Sequence, residues 1–153
     1  MPIDTSLEFV PINIAVITIS DSRTKENDAS GDTLEKRIID TGHQMIKRTI
    51  IPDDVSKIKD TLNAMSKEKD IDCIITTGGT GLTGRDTTPE AVKEIANKHI
   101  DGFGELFRQV SFEKIGTSAI QSRAVAALIN NTYVFCLPAV SYTHLRAHET
   151  DRH

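Results

Sequence analysis

Residues 74–90 read IITTGGTGLTGRDTTPE and pass from a buried-strand pattern through a glycine-rich turn into a helix start. The glycines allow positive φ and let a ligand approach the backbone, and the small threonines leave main-chain N–H groups free to point at an anion. The alternative is a tight turn whose glycines only solve a packing problem. The density of glycine, threonine and charged residues favours a ligand site. Its candidate phosphate-binding residues are Thr77, Gly78, Gly79, Thr80, Gly81 and Arg85.

The end of the same stretch predicts a helix start. Thr88-Pro89-Glu90 reads as an N-cap, a proline at N1 and a first-turn acid, so the partial positive charge of a helix N-terminus lies just beyond the glycines. Between turn and helix, Arg85 offers a group that pairs with phosphate oxygens, and Asp86 offers a carboxylate that holds a cation. The stretch therefore predicts a site for an anionic ligand.

Composition limits the classes of partner. The chain has 153 residues, enough for one domain with a single core and too few for two ordinary domains. Its formal net charge of −4 has interspersed signs and no basic stripe, which gives nucleic acid binding little electrostatic support. An anionic ligand therefore needs a local cluster of donors or a metal ion.

Cysteine usage and hydropathy indicate a cytoplasmic protein. Cys73 and Cys136 lie inside apolar strand-like runs, which suits buried reduced thiols better than a disulfide, and no zinc-type spacing exists. No segment has the charged start and apolar core of a signal peptide, and no apolar run approaches the roughly 20 residues that span a bilayer. We expect a soluble protein with no membrane partner.

The rest of the chain alternates strand and helix patterns, which predicts an α/β fold in three layers. The sheet is expected to be mostly parallel, with helices on both faces and right-handed crossovers. Gly42 stands where the glycine after a helix belongs, and Asp54 where a cap belongs. The predicted strands are residues 12–19, 44–51, 71–77 and 132–137, and the predicted helices are residues 31–40, 55–65, 89–97, 104–113 and 118–129.

Polar residues follow three of these strands at their carboxyl ends. Ser20-Asp21 follows the first strand, Pro52-Asp53 the second, and the glycine turn the third. Ligands of such sheets bind at the carboxyl ends of the strands, so we expect these segments to converge on one crevice. For Asp53 the alternative is a residue that only shapes a turn, and for Asp21 it is a residue that only caps a strand end.

Residues 140–153 carry no clear helical or strand period. Reverse translation of residues 140–150 gives a nucleotide run that resembles a transposase adapter used in preparing sequencing libraries, so we expect a non-native tail. A histidine-rich metal-binding tail is the alternative. The expected organisation is an N-terminal arm over residues 1–9, a domain over residues 10–139 that is incomplete at its C-terminus, and this tail.

The chain resembles the MogA and MoaB family of molybdenum cofactor biosynthesis proteins, and MoaB more than MogA, over about residues 9–138. The resemblance implies a molybdopterin-binding domain, a homo-oligomer that is a trimer or a hexamer, and adenylylation of molybdopterin with magnesium ATP before metal insertion. The motifs that carry the resemblance are Thr76-Thr77-Gly78-Gly79-Thr80-Gly81, Arg85-Asp86, Thr88-Pro89-Glu90, Gly102-Phe103-Gly104-Glu105 and Gly116-Thr117-Ser118-Ala119-Ile120-Gln121-Ser122-Arg123-Ala124.

By position, the family's two catalytic aspartates correspond to Asp53 and Asp86, which the resemblance implies as ligands of Mg²⁺. Ser118, Ser122 and Arg123 are secondary candidates for binding phosphate at a helix start. Each has an alternative role, because Ser118 can be an N-cap and Arg123 can pair with a surface acid. A molybdopterin carrier or scaffold without efficient transfer is the alternative function.

One departure from the family pattern affects the expected activity. In the family the last strand leads into a leucine-proline-glycine loop and a final helix, whereas here Leu137-Pro138 is followed by Ala139 and the unusual tail. The departure implies an altered phosphate site and an apolar surface without its cover. We expect the natural full-length protein to be competent and this chain to be weakly active or inactive.

Overall fold

The structure is a computed structural model that describes residues 7–139. It has a six-stranded sheet in the order β2-β1-β3-β6-β5-β4, in which β2, β1, β3 and β6 are parallel and β5 and β4 are antiparallel to their neighbours. The strands are β1 Asn13–Ile19, β2 Gln44–Ile51, β3 Cys73–Thr77, β4 Lys98–His99, β5 Val125–Ile129 and β6 Thr132–Leu137. The α-helices are α1 Ala29–Asp40, α2 Val55–Ser66, α3 Thr88–Ile95 and α4 Asp101–Ile115, and a 3₁₀ helix spans Gly116–Gln121.

Helices cover both faces of the sheet, which confirms the predicted three-layer α/β class. Apolar side chains of α2 and α3 pack on one face of the central strands, with Ile58, Leu62 and Val92 almost fully buried. On the other face, Ile38 of α1 packs with Val16 of β1. Each buried strand contributes apolar side chains to both faces of the sheet, because neighbouring residues along a strand point in opposite directions.

The predicted helix over residues 118–129 is wrong. A 3₁₀ helix ends at Gln121, and Val125–Ile129 forms strand β5, which pairs with β6 in an antiparallel hairpin. Asn130 and Asn131 make the turn, with φ of 49° and 68°. Asparagine tolerates this left-handed conformation, and two such residues between apolar runs are a hairpin signal that the sequence carried. Pairing with β6 therefore overrides the helix propensity of residues 125–129.

Several predicted ends of elements also shift. Helix α1 begins at Ala29 because the Asp28 carboxylate accepts a hydrogen bond from the Gly31 N–H. Asp54 does occupy the N-cap position of α2, but its side chain makes no capping hydrogen bond. Strand β3 begins at Cys73 rather than residue 71, α3 ends at Ile95, α4 spans Asp101–Ile115, and β4 was not predicted. The prediction of a glycine after α1 is confirmed, since Gly42 has φ of 94°.

A buried ion pair joins α1 to β2. Arg48 Nη2 lies 3.0 Å from Asp28 Oδ2, and the same guanidinium reaches the carboxylates of Asp32 and Glu35. Thr18 donates to Asp28 from the neighbouring strand over 2.7 Å. Burial alone would raise the pKa of Asp28, but the hydrogen bonds from Thr18, the Gly31 N–H and Arg48 outweigh it and hold that pKa below its ordinary value.

Asp28→Asn is expected to destabilise the fold by about 2 kcal/mol, because the amide leaves the charge of Arg48 without its buried partner. Urea unfolding measures the change. A lowered folded-state pKa contributes stability that is present above the unfolded-state value and lost as pH falls through the folded value, so the difference between wild type and variant should shrink below about pH 4.

Asp32→Asn is the matched control, because the Asp32 side chain is 63% exposed and pairs with the same Arg48. Exposed pairs are worth about 1 kcal/mol or less, so this variant should unfold close to the wild type. Equal destabilisation by both substitutions, or a difference that grows in acid, would contradict the importance of the buried carboxylate.

Candidate active site

A polar cavity of about 290 Å³ lies at the carboxyl ends of β1, β2 and β3. The three segments expected to converge do meet there: Asp21 after β1, Asp53 after β2 and the glycine turn after β3. The cavity therefore collects four carboxylates and two guanidinium groups in one space, with the anionic and cationic groups interspersed. Its lining residues are Thr18, Ile19, Ser20, Asp21, Ser22, Arg23, Asp28, Ser30, Asp53, Thr77, Gly78, Gly79, Arg85, Asp86 and Ala139.

Two glycines of the turn, Gly78 and Gly79, have the positive φ that the composition of the turn allows, whereas Gly81 does not. Gly78 and Gly79 have φ of 98° and 74°, and a Cβ at Gly78 would lie 2.3 Å from the carbonyl oxygen of Ile19. Thr88 at the start of α3 holds the turn, since its N–H donates to Gly79 O and its hydroxyl donates to Gly78 O. The predicted N-cap is wrong by one residue: Thr87 is the N-cap, and Thr88 secures the turn instead.

Not every N–H of the turn faces a ligand. The N–H of Gly78 donates to Leu137 O over 2.9 Å and is part of the sheet edge. The N–H groups of Gly79, Thr80 and Gly81 have no acceptor within residues 7–139. The backbone donors that are left to bind an anion are therefore the N–H groups of Gly79, Thr80 and Gly81, which lie between β3 and Arg85.

Asp53 fastens β2 to the start of α3. Its Oδ1 accepts hydrogen bonds from the Thr87 N–H at 3.1 Å and from the Thr87 hydroxyl at 2.6 Å. Its own N–H donates to Asp21 Oδ1 over 2.9 Å. Asp53 therefore links two separate elements rather than only shaping a turn, and Asp21 holds the backbone of Asp53 in place.

Asp86 closes the second half of the glycine turn. Its Oδ2 accepts hydrogen bonds from the Thr83 N–H at 3.0 Å and from the Thr83 hydroxyl at 2.6 Å. Among the described residues, the remaining oxygens, Asp53 Oδ2 and Asp86 Oδ1, accept no hydrogen bond and form no ion pair. Each aspartate is therefore fixed through one oxygen, and both residues line the cavity.

Arg123 lies where the sequence did not place it. It follows the 3₁₀ helix rather than standing at a helix start, and its guanidinium donates to the carbonyl oxygens of Gly81 and Asp86, both over 2.7 Å. It also pairs with Glu90, which agrees with the alternative of a surface acid as its partner. The geometry thus directs Arg123 to the protein backbone and not into the polar cavity.

Ser118 and Ser122 are also not at a helix start, because the predicted helix does not form. Ser118 lies in the 3₁₀ helix, and Ser122 accepts a hydrogen bond from the Ala124 N–H over 3.4 Å. Both line a second, largely apolar groove of about 670 Å³ between α1 and α4. Thr80, Gly81 and the chain at 137–139 also border it. Its apolar walls include Leu34, Phe107, Val110 and Ile115.

The cysteines take no part in the site. Burial raises the pKa of Cys73 to about 12 and that of Cys136 to about 11, so both thiols stay protonated near neutral pH. Both are free and buried, as their apolar surroundings predicted.

Within residues 7–139, no three histidine, cysteine, aspartate or glutamate side chains come close enough to hold a metal ion together. No helix in the same range is long and apolar enough to cross a membrane.

Sequence reasoning missed several residues that position the site. Thr83 and Thr87 fix the two aspartates, and Arg23 lines the cavity after β1. The contact of Thr83 is local, because Thr83 lies three positions before Asp86. No local signal was present for Thr87, whose partner Asp53 lies 34 positions away along the chain.

The fold and the site together define a class: an α/β protein whose parallel strands end at a polar crevice lined by carboxylates, guanidinium groups and a glycine turn. Residues 15–149 match the family described as the probable molybdopterin binding domain, and the chain belongs to this family. The resemblance found in the sequence is thereby confirmed. The matched range extends past residue 140, which lies outside the described residues, and the foreign origin of the tail stays a prediction.

Named relatives agree with this assignment. Molybdenum cofactor biosynthesis protein B of Escherichia coli K12 is 41% identical over 133 residues, which are 87% of this chain and 78% of the relative. The probable molybdopterin adenylyltransferase of Methanocaldococcus jannaschii is 40% identical over 134 residues, which are 83% of this chain and 79% of the relative. A crystal structure of molybdenum cofactor biosynthesis protein B has a TM-score of 0.83 at 40% identity and covers 90% of this chain and 86% of its own.

Proposed function

We propose that the protein acts in molybdenum cofactor biosynthesis as a molybdopterin adenylyltransferase, with ATP as its second substrate. The observation that carries the proposal is the pair Asp53 and Asp86, which come from different loops, face one cavity and are each held through one carboxylate oxygen. Family membership and the relative named as an adenylyltransferase support the choice of substrate.

The reaction requires positioning and charge stabilisation more than a new nucleophile. A terminal phosphate oxygen of molybdopterin attacks the α-phosphorus of ATP; the new O–P bond forms as the bond from that phosphorus to the bridging oxygen breaks, and pyrophosphate leaves. The N–H groups of Gly79, Thr80 and Gly81, which have no acceptor within residues 7–139, suit phosphate oxygens. Arg85 adds a positive charge at the cavity that Gly79 also lines. These groups hold the reacting phosphates in line.

The donor set of the cavity suits Mg²⁺. Magnesium takes oxygen ligands and is usually held by one or two carboxylates together with substrate phosphates, which is what Asp53 Oδ2 and Asp86 Oδ1 offer. When bound, the ion supplies positive charge that orients the triphosphate and stabilises the leaving oxygens. Thr83 and Thr87 keep the two carboxylates in place for that role.

A molybdopterin carrier without efficient transfer is the second candidate. One observation favours it: both aspartates have structural roles, because Asp53 fastens the end of β2 to the start of α3 and Asp86 closes part of the glycine turn. Both residues therefore have a reason to be present even where no chemistry occurs.

Assembly and location form part of the same proposal. Leu106, Val110 and Phe112 on α4 are 62%, 49% and 55% exposed, which supports assembly into a homo-oligomer, a trimer or a hexamer. Two buried, reduced thiols support a cytoplasmic location. The proposed partners are thus molybdopterin, ATP and further copies of the chain.

The experiment compares binding with turnover in two proteins. One is the 153-residue chain, and the other carries the C-terminal segment of the Escherichia coli relative fused after Ala139. Product formation from molybdopterin and magnesium ATP, stronger in the fusion, supports the transferase and the expected weakness of the original chain. Tight molybdopterin binding without product in both proteins would favour the carrier, and failure of both to bind would contradict each function.

A further inference from the structure

We infer that Arg123 is a positioning residue that sets the shape of the glycine turn and thereby the place of Asp86; its catalytic consequence rests on the proposed transferase function. The guanidinium spans the turn, because its Nε donates to Gly81 O and its Nη2 donates to Asp86 O. These two carbonyls mark the two ends of residues 81–86. A single rigid side chain thus clamps the segment that contains the candidate metal ligand.

The planar guanidinium suits this task better than any other cation. Its donors are fixed in a fork, so two carbonyl oxygens on opposite sides of a turn are held at a set separation. Each of its three nitrogens has an acceptor in the chain, since Nη1 pairs with Glu90 at the start of α3. A side chain engaged in this way contacts the protein rather than a substrate phosphate.

The backbone around Arg123 is itself anchored. Arg108 of α4 donates to the carbonyl oxygens of Ser122 and Ala124, on either side of Arg123, over 3.1 and 3.3 Å. The N–H of Arg123 donates to Thr80 O over 3.3 Å. A continuous set of hydrogen bonds therefore runs from α4 through Arg123 to the glycine turn.

The first measurement is hydrogen exchange of the turn amides in the full chain. The N–H groups of Thr83 and Asp86 are hydrogen bonded within the turn, to Asp86 Oδ2 and Thr83 O. In Arg123→Lys, which keeps the charge and loses the fork, these amides should exchange at least about tenfold faster than in wild type while amides of β1 and β3 are unchanged. Unchanged exchange at both turn amides would overturn the inference whether or not the protein is a transferase.

Steady-state kinetics then separates positioning from substrate contact. Displacement of a catalytic group by about 1 Å can cost about a hundredfold in rate, so Arg123→Lys and Arg123→Gln should lower kcat by about that factor with KM for ATP and molybdopterin within about threefold of wild type. A KM for ATP that rises tenfold or more with kcat retained would mean that Arg123 binds the nucleotide, and would overturn the inference.

Glu90→Gln is the matched control. It removes the charge that faces Arg123 and leaves both carbonyl hydrogen bonds, and the Glu90 side chain is 50% exposed. Both exchange and kcat should stay within about twofold of wild type, because exposed ion pairs contribute little. A loss in Glu90→Gln as large as in Arg123→Lys would assign the effect to the ion pair and contradict the clamp. The kinetics are measured in the fusion that carries a relative's C-terminal segment as well as in the original chain. If neither makes product, the proposed function fails and hydrogen exchange alone decides the role of Arg123.

Discussion

Asp86→Asn is expected to lower the rate of adenylyl transfer by about 100- to 1000-fold, the cost of removing one fixed charge-stabilising group from an active site. Asparagine is nearly isosteric, and its side-chain oxygen can still accept the two hydrogen bonds from Thr83 that fix the turn. The variant therefore removes the negative charge that would hold Mg²⁺ and leaves the local shape intact. Product formation per minute at saturating ATP and molybdopterin measures the loss.

Thr83→Val is the control for this prediction. It removes the hydroxyl that donates to Asp86 Oδ2 and keeps both the branched shape and the carboxylate. We expect its rate to fall by about tenfold or less, because the carboxylate keeps its negative charge and is still held by the hydrogen bond from the Thr83 N–H. An Asp86→Asn enzyme that keeps half of the wild-type rate would show that this carboxylate has no part in the chemistry.

Gly78→Ala is expected to destabilise the protein by about 3 to 5 kcal/mol, because strain and a backbone clash coincide there. The residue has φ of 98°, and its new Cβ would stand 2.3 Å from Ile19 O, a main-chain atom of the central sheet that cannot rotate away. The free energy of unfolding in urea measures the effect, and the midpoint of thermal unfolding should fall by about 10 °C.

Gly84→Ala is the matched glycine substitution. A Cβ at Gly84 meets no atom within 4 Å, so its unfolding free energy should stay within about 0.5 kcal/mol of wild type. If Gly78→Ala were as stable as Gly84→Ala, the turn would not need the positive φ described here, and the geometry of the site would have to be revised.

The sequence predicted the convergence of the site because chain direction alone decides it. Parallel strands end on the same edge of a sheet, so residues after β1, β2 and β3 had to meet once the alternation of strand and helix was recognised. The limits of β2, Gln44–Ile51, were also predictable, since Gly42 precedes the strand and Pro52 follows it. Glycine and proline at the two ends of a strand are local signals, and they can be recognised from residue type alone.

Other parts of the fold depend on contacts that local sequence does not encode. The run Val125–Ile129 suits a buried helix as well as a buried strand, and its pairing with β6 decides between them. In the sequence, only the Asn130-Asn131 turn indicated that the two strands pair. Strand β4 has two residues and exists because β5 offers an edge.

The role of Arg123 could not be predicted for a related reason. Its partners at Gly81 and Asp86 are carbonyl oxygens, which every residue carries, and they lie 42 and 37 positions away along the chain. An arginine that binds backbone and an arginine that binds phosphate look alike in sequence. The same holds for Asp53 and Asp86, whose fixed and free oxygens are distinguished only by the structure.

The most direct test of the central claim follows the α-phosphate of ATP. ATP labelled at that phosphate is mixed with molybdopterin and Mg²⁺, using both the original chain and the fusion that carries a relative's C-terminal segment. The account predicts that label enters the pterin product in an amount equal to the pyrophosphate released. Label that appears only in free AMP would indicate a hydrolase, and label that stays in ATP while the fusion holds molybdopterin tightly would contradict the transferase.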